Sequence, residues 1–203
     1  MKPLLLFQIA VAILGGLFLR YGMDVRRKAG ARDFIAPAWQ VLMKLCSFAL
    51  LGGFGWIALA MHAPSPLDWL GLASMASGTA FVAAAKRALG KTHSFTGQYL
   101  EHPQLVTHGV YAITRNPLYF GVFQCELGAV LCAAHQVPAL LPQAYPYWLS
   151  AFGAALAYAV AFNWGMALRE ARQLECCFGD AYCRYRTAVP FLVPTFKLRQ
   201  EIV

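Results

Sequence analysis

Residues 105–122 read LVTHGVYAITRNPLYFGV. The first half mixes His108, Tyr111 and Arg115 with small and apolar residues. From Pro117 onward the chain turns apolar and stays so to about residue 137. A bilayer crossing needs about 20 mostly apolar residues in a helix, and this run supplies them. Asn116-Pro117 marks its start, since Asn is favoured at a helix N-cap and Pro at the first helical position.

Working outward, four further stretches have the same character, near 3–21, 39–61, 67–86 and 145–166. The chain of 203 residues is 59% hydrophobic and only 13% charged. A soluble domain is roughly half apolar and about a quarter charged, so the composition points to an all-α integral membrane protein with about five transmembrane helices. The first stretch has no small-residue cleavage signature and runs directly into RYGMDVRRK, so it reads as a retained anchor rather than a signal peptide.

The net charge of +8 is placed unevenly. Arg20, Arg26, Arg27, Lys28, Arg32 and Lys44 fall between the first and second spans. Lys86, Arg87, Lys91 and Arg115 fall between the third and fourth. Arg169, Arg172, Arg184, Arg186, Lys197 and Arg199 follow the fifth. The turns 62–68 and 135–146 carry neither Lys nor Arg. Positive charge on alternate loops is the signature of the cytoplasmic side. It predicts the N-terminus outside and the C-terminus in the cytoplasm; the membrane expected is a bacterial inner membrane. The basic excess is a topology signal and a lipid-surface attraction, and it argues against nucleic acid as a partner.

The six cysteines form no disulfide framework. Cys46, Cys125 and Cys132 sit in apolar runs as small hydrophobes. Cys176, Cys177 and Cys183 have no nearby His and no Cys-x-x-Cys spacing, which makes a metal site unexpected.

Two segments on the basic side exceed simple turns, 87–117 and 167–203. In the second, Leu174, Cys177, Phe178, Ala181 and Tyr185 recur at helical spacing and give one apolar face, with Gly179 as a break. The prolines of VPFLVP then impose an extended exit. Glu170 lies just beyond the fifth span, where a carboxylate is costly unless paired or solvated. In the first, RNPLYFG has a plain structural use as a helix start that aims Arg115 at lipid headgroups. A second use draws on Gly109 and Gly121 as points of close backbone approach, on aromatic rings, and on the open N–H groups of a helix start. Arg115, Glu170 and these aromatics together suit a zwitterionic cofactor with an amino-acid end and a flat aromatic end.

The blocks LVTHGVYAITRNPLYFG (105–121) and E-x-x-x-L-x-x-x-F-G-x-x-Y-x-x-Y-x-x-x-V-P (Glu170 to Pro190) resemble the isoprenylcysteine carboxyl methyltransferases and their bacterial relatives, which include phospholipid N-methyltransferase-like proteins. The resemblance covers about the C-terminal half. It implies a single membrane-embedded domain over 1–203, with N-terminal spans in 1–86 and a cofactor-binding half in 87–203. There the connecting segment and the C-terminal helix would close a pocket for S-adenosylmethionine at the cytoplasmic face. Carried over, Leu105, Val106, Gly109 and Tyr111 line that pocket, Asn116, Pro117 and Tyr119 continue it, Glu170 binds the cofactor's ammonium, and Gln98 adds a hydrogen bond. The acceptor implied is lipophilic. Its best-known form is a prenylated cysteine carboxylate, and a phospholipid amine or other small lipophile is the alternative.

The chain departs from the family at three places. Asn116 stands where His is usual, so no imidazole titrates there. Glu170-Ala171 replaces paired glutamates. Met166 stands near the position of a substrate-binding Arg in the prenylcysteine enzymes, with Arg169 beside Glu170.

The catalytic candidates are Arg115, whose fork suits carboxylates, and Glu126, an acid about ten residues inside the fourth span. An intramembrane acid is a functional candidate by default. Its structural alternatives are a protonated acid bonded between helices and a helix packing contact with Asn163. His93 and His135 are weaker candidates. Two other classes stay open from sequence, an NADPH-dependent sterol-reductase-like enzyme and a non-enzymatic membrane scaffold or transporter.

Overall fold

The computed structural model describes residues 3–22, 31–90, 98–100 and 103–195. Basic residues 26–28, Lys91, Lys197 and Arg199, with His93, lie outside the described residues. The elements are α1 (Pro3–Gly22), β1 (Ala31–Asp33), α2 (Pro37–Ala60), α3 (Pro66–Leu89), β2 (Gln98–Leu100), a 3-10 turn (Gly109–Ala112), α4 (Pro117–Leu140), α5 (Tyr145–Phe178) and α6 (Asp180–Ala188). Five helices, α1 to α5, are long and apolar enough to cross a membrane. The protein is an all-α integral membrane protein, with one short antiparallel ribbon that the sequence reading did not contain.

Proline opens α2, α3 and α4 at the first turn, where its missing N–H costs nothing. At α3, Ser65 and Asp68 form a capping box, with Ser65 N–H donating to Asp68 Oδ2 at 2.8 Å and Asp68 N–H to Ser65 Oγ at 3.3 Å. The same fully buried Asp68 receives Gln136 Nε2 at 2.6 Å, and His135 Nδ1 lies 3.4 Å from it. One carboxylate thus ties the start of α3 to the end of α4. His135 has a structural place here.

Helices α3 and α4 make the closest pair in the bundle. Gly71 faces Gly128 and Gly78 faces Gly121, two contacts seven residues apart on each helix. A Cβ on Gly71 would lie 2.7 Å from Gly128 O, and one on Gly78 would lie 2.8 Å from Cys125 Sγ. Small residues allow this approach, as they do between helices in lipid. Gly121 is thus a point of close backbone approach, and what it approaches is α3. Cys125 and Cys132 are buried beside the same seam, as expected of small hydrophobes.

The apolar residues collect in two main clusters. One gathers Phe7, Phe54, Ile57, Leu72, Cys132 and Val137. The other gathers Met43, Leu50, Tyr119, Phe162, Met166 and Ala167. Outward faces carry Leu5, Ile13, Leu45 and Leu59 in the open, as helices facing lipid should.

The end of the bundle that bears the basic loops is closed by three pieces. β1 pairs with β2, Ala31 opposite Leu100 and Asp33 opposite Gln98. Phe34 and Ile35 pack on the second core cluster, and so do Phe191 and Leu192 from the tail. The tail helix breaks at Gly179, whose φ of 49° is open to glycine. That break resets the helical phase. Tyr182, Tyr185 and Val189 face inward with Leu105, Leu174 and Phe178, whereas Cys177 and Ala181 are exposed. The single apolar face drawn through Cys177 and Ala181 is corrected accordingly.

Candidate functional site

Residues 113–116 are clamped to the exit of the tail. Arg115 N–H donates to Pro190 O at 2.9 Å, and Thr195 N–H to Ile113 O at 3.1 Å. The fully buried Thr114 gives its hydroxyl to Leu192 O at 2.7 Å. Asn116 Nδ2 donates to Phe191 O at 2.7 Å. Asn116 does occupy the N-cap position of α4, but its side chain makes no cap hydrogen bond. Arg115 Nε donates to Val189 O at 3.0 Å, Nη1 reaches Tyr182 Oη at 3.5 Å, and the guanidinium lies 5.4 Å from the Phe191 ring centre. The plain reading of RNPLYFG, a capped helix with Arg115 directed at headgroups, is thereby corrected. Both polar groups hold the tail because VPFLVP exits extended and leaves its carbonyls open to donors.

Above this clamp, Leu105 packs on Tyr182, Tyr185 and Val189. Tyr185 donates its hydroxyl to Tyr111 O at 2.7 Å. Burial, and then the nearby charge of Glu170, push the Tyr111 phenol above its ordinary value. Burial likewise raises Tyr185, with Tyr182 adding to it and Arg115 opposing it. Gly109 has φ of 62°, which the 3-10 turn through Tyr111 needs.

Glu170 and Tyr119 join the two motif blocks. Tyr119 is buried in the second core cluster and donates its hydroxyl to Glu170 Oε1 at 2.6 Å. The length is that of an O–H to carboxylate bond. A carboxylate has about four acceptor positions, so one phenol leaves capacity for a cationic group. Tyr119 thus meets Glu170 directly, and Tyr111 lies near enough to feel the charge of Glu170. Pro117 is buried at the same helix start, and Val106 is half-buried in the strap beside Leu105.

Gln98 sits elsewhere in the network. It is buried, and its Nε2 donates to Asp33 Oδ1 at 2.9 Å. Gln40 Nε2 donates to the same oxygen at 2.9 Å. Arg169 Nη1 donates to Phe34 O at 3.0 Å. Asp33 thus gathers Gln40 and Gln98, and Phe34 O takes a bond from the residue next to Glu170, contacts that no sequence signal announced. Tyr182 and Tyr185 had a signal, since both stand in the F-G-x-x-Y-x-x-Y motif without an assigned task. Asp33 and Thr114 had none.

Glu126 lies deeper, lining an apolar cleft. Its Oε2 is buried without a hydrogen-bond partner among the described residues, and so is Asn163 Nδ2. These two atoms are therefore not bonded to one another. Among the described residues no group of three or more His, Cys, Asp and Glu is placed to hold a metal.

The phospholipid methyltransferase family model matches residues 67–173, just over half of the chain. The chain belongs to the phospholipid methyltransferase family. No curated protein matches it in sequence. The match runs from the start of α3 to just past Glu170 and holds the α3–α4 glycine seam, the strap and both partners of the Tyr119–Glu170 bond. For this membrane methyltransferase family member, the same residues are therefore the place to look for chemistry.

Proposed function

We propose that the protein is an S-adenosylmethionine-dependent methyltransferase acting on a lipophilic acceptor, with its site at the cytoplasmic end of the bundle. The observation that carries this reading is the 2.6 Å bond between Tyr119 and Glu170, which joins the two blocks on which the family resemblance rests. The basic loops converge on the same end, and by the positive-inside rule that end is cytoplasmic. Localisation in a bacterial inner membrane goes with this orientation.

The donor set fits the cofactor. Glu170 meets an ammonium, Tyr119 fixes the rotamer of Glu170, and the Tyr111 region with Leu105, Val106 and Gly109 forms a wall. Asn116 and Pro117 set the start of α4, and Gln98 closes the roof through Asp33. When bound, S-adenosylmethionine supplies a methyl group already activated on a sulfonium, so the protein's task is alignment and exclusion of water. Arg115 positions the tail that covers the site rather than reaching into it, through its bonds to Val189 and Tyr182. Glu126 acts on the acceptor side.

One observation favours an amine over a carboxylate as acceptor. Met166, which stands near the family's substrate-binding Arg, is packed in the core, and Arg169 is turned to Phe34 O. A carboxylate acceptor would lack its cation here. Transfer of labelled methyl from S-adenosylmethionine to an aminophospholipid extract and to farnesylcysteine tests both readings. Label in the lipid alone supports the amine, and label in farnesylcysteine alone overturns that preference. Failure of the purified protein to bind S-adenosylmethionine refutes the function.

A further inference from the structure

At the basic end of the bundle, Tyr21 and two guanidinium groups make a cluster that the methyltransferase reading does not use. Helix α1 is 20 residues long. At 1.5 Å per residue it spans about 30 Å, the thickness of a bilayer's hydrocarbon core. Its last turn therefore stands at headgroup level. Arg20 lies in that turn, and Arg87 lies in the last turn of α3. Arg87 Nη2 donates to Tyr21 Oη at 3.0 Å, and its guanidinium carbon is 5.3 Å from the centre of the Tyr21 ring. The guanidinium carbon of Arg20 is 5.7 Å from the same centre.

Two like charges thus meet at one ring, and among the described residues no carboxylate forms an ion pair with either. Elsewhere arginines are occupied, Arg115 and Arg169 by carbonyls and Arg186 by Glu175. Arg20 and Arg87 are exposed, so their remaining N–H groups are open to the surroundings. Tyr21 Oη accepts from Arg87, which leaves its own O–H free to donate. The cluster is a set of donors without an acceptor. Attraction to the helix C-termini accounts for a cation in each last turn. It accounts for neither the shared ring nor the open hydroxyl. On α1, the exposed Ile9, Ile13 and Leu17 recur at four residues and lead to Arg20 on the same face.

We propose that Arg20, Tyr21 and Arg87 bind the phosphodiester of an anionic phospholipid, with an acyl chain along Ile9, Ile13 and Leu17. Phosphate oxygens accept from the guanidinium groups and from the Tyr21 hydroxyl, the charge-assisted bonding for which arginine is suited. Free phosphate offers the same oxygens. The lipid is selected because the cluster stands at headgroup level, at the end of an apolar track. A zwitterionic headgroup would bring its own ammonium to a place that already holds two cations, so a lipid with net negative charge is preferred. The site contains neither Tyr119 nor Glu170, and it does not depend on methyl transfer.

Native mass spectrometry of the purified, delipidated full chain in detergent counts the lipids bound. Phosphatidylglycerol and phosphatidylethanolamine with identical acyl chains are titrated separately. The first phosphatidylglycerol binds the wild type at a concentration on the order of tenfold lower than phosphatidylethanolamine, from two basic residues near the phosphate. Arg20→Gln with Arg87→Gln abolishes that preference. Arg184→Gln, at an exposed position on α6, removes a like charge and keeps it. If the double variant does not fold, Tyr21→Phe and the single Arg20→Gln decide, each lowering the preference severalfold. Equal binding of the two lipids by the wild type, or an unchanged preference in the folded variants of Arg20, Tyr21 or Arg87, overturns the proposal. Loss of the preference in Arg184→Gln makes it an effect of net charge and overturns the site. Displacement of phosphatidylglycerol by an equal concentration of inorganic phosphate puts a free anion in the cluster and overturns the lipid.

Discussion

Replacing Tyr119 by Phe removes one oxygen and little else. The ring stays in a cluster with Met43, Phe162 and Met166, since Phe fills nearly the same volume. What is lost is the 2.6 Å bond to Glu170 Oε1. Hydrogen bonds to charged groups contribute about 1.5–3 kcal/mol. Glu170 is only partly shielded in the fold, so water recovers some of the loss and about 1–2 kcal/mol remains. If Glu170 grips the cofactor's ammonium, its misorientation passes into affinity as a roughly 5- to 30-fold rise in Kd, at 1.4 kcal/mol per decade. Equilibrium dialysis with labelled S-adenosylmethionine measures it, beside Glu170→Gln, which removes the charge and costs at least as much. A thermal unfolding curve in detergent checks that Tyr119→Phe remains folded. Wild-type affinity in both folded variants would refute the assignment of Glu170 as the ammonium site, and with it the reasoning from the joined blocks.

Other expectations follow from particular contacts. Gly78→Ala forces the Gly121 carbonyl and Cys125 aside and costs about 1–3 kcal/mol. Gly52→Ala, with no atom near its added methyl, does not lower the midpoint of thermal unfolding in detergent. Arg115→Ala frees Val189 O and Tyr182 and exposes the segment after Ala188 to limited proteolysis. Arg115→Lys restores only part of the protection, because a single ammonium cannot copy the planar fork. Asp33→Ala deprives Gln40 and Gln98 of their shared acceptor and lowers stability by about 1–3 kcal/mol, read in the same thermal assay.

The five spans were legible because each is a long apolar run, and length with hydropathy suffices when the solvent is lipid. The start of α4 was legible too, from Asn116-Pro117. The meeting of the strap with the tail was readable as a resemblance of two motif blocks, and the Tyr119–Glu170 bond gives it a geometry. The partners of the polar side chains were not readable. Asn116 has the chemistry of a helix cap and also that of a donor to any nearby carbonyl, and Phe191 O was the nearer need. The phase of the tail was lost at Gly179, because a local period says nothing of the angle at which the next helix leaves.

By itself, then, the sequence determined the membrane class, the number of spans, the side on which charge collects and the two blocks that carry the family pattern. These depend on composition and local order along the chain. Only the tertiary structure decided that Asp33 gathers Gln40 and Gln98, that Gly78 and Gly121 draw two helices together, and that Glu126 Oε2 and Asn163 Nδ2 lack partners among the described residues. Such facts are set by which helix faces which, and by the depth at which they pass. A hydrogen bond or a close backbone contact is fixed by distances of a few ångströms between residues that are mostly far apart in sequence, which no local pattern encodes.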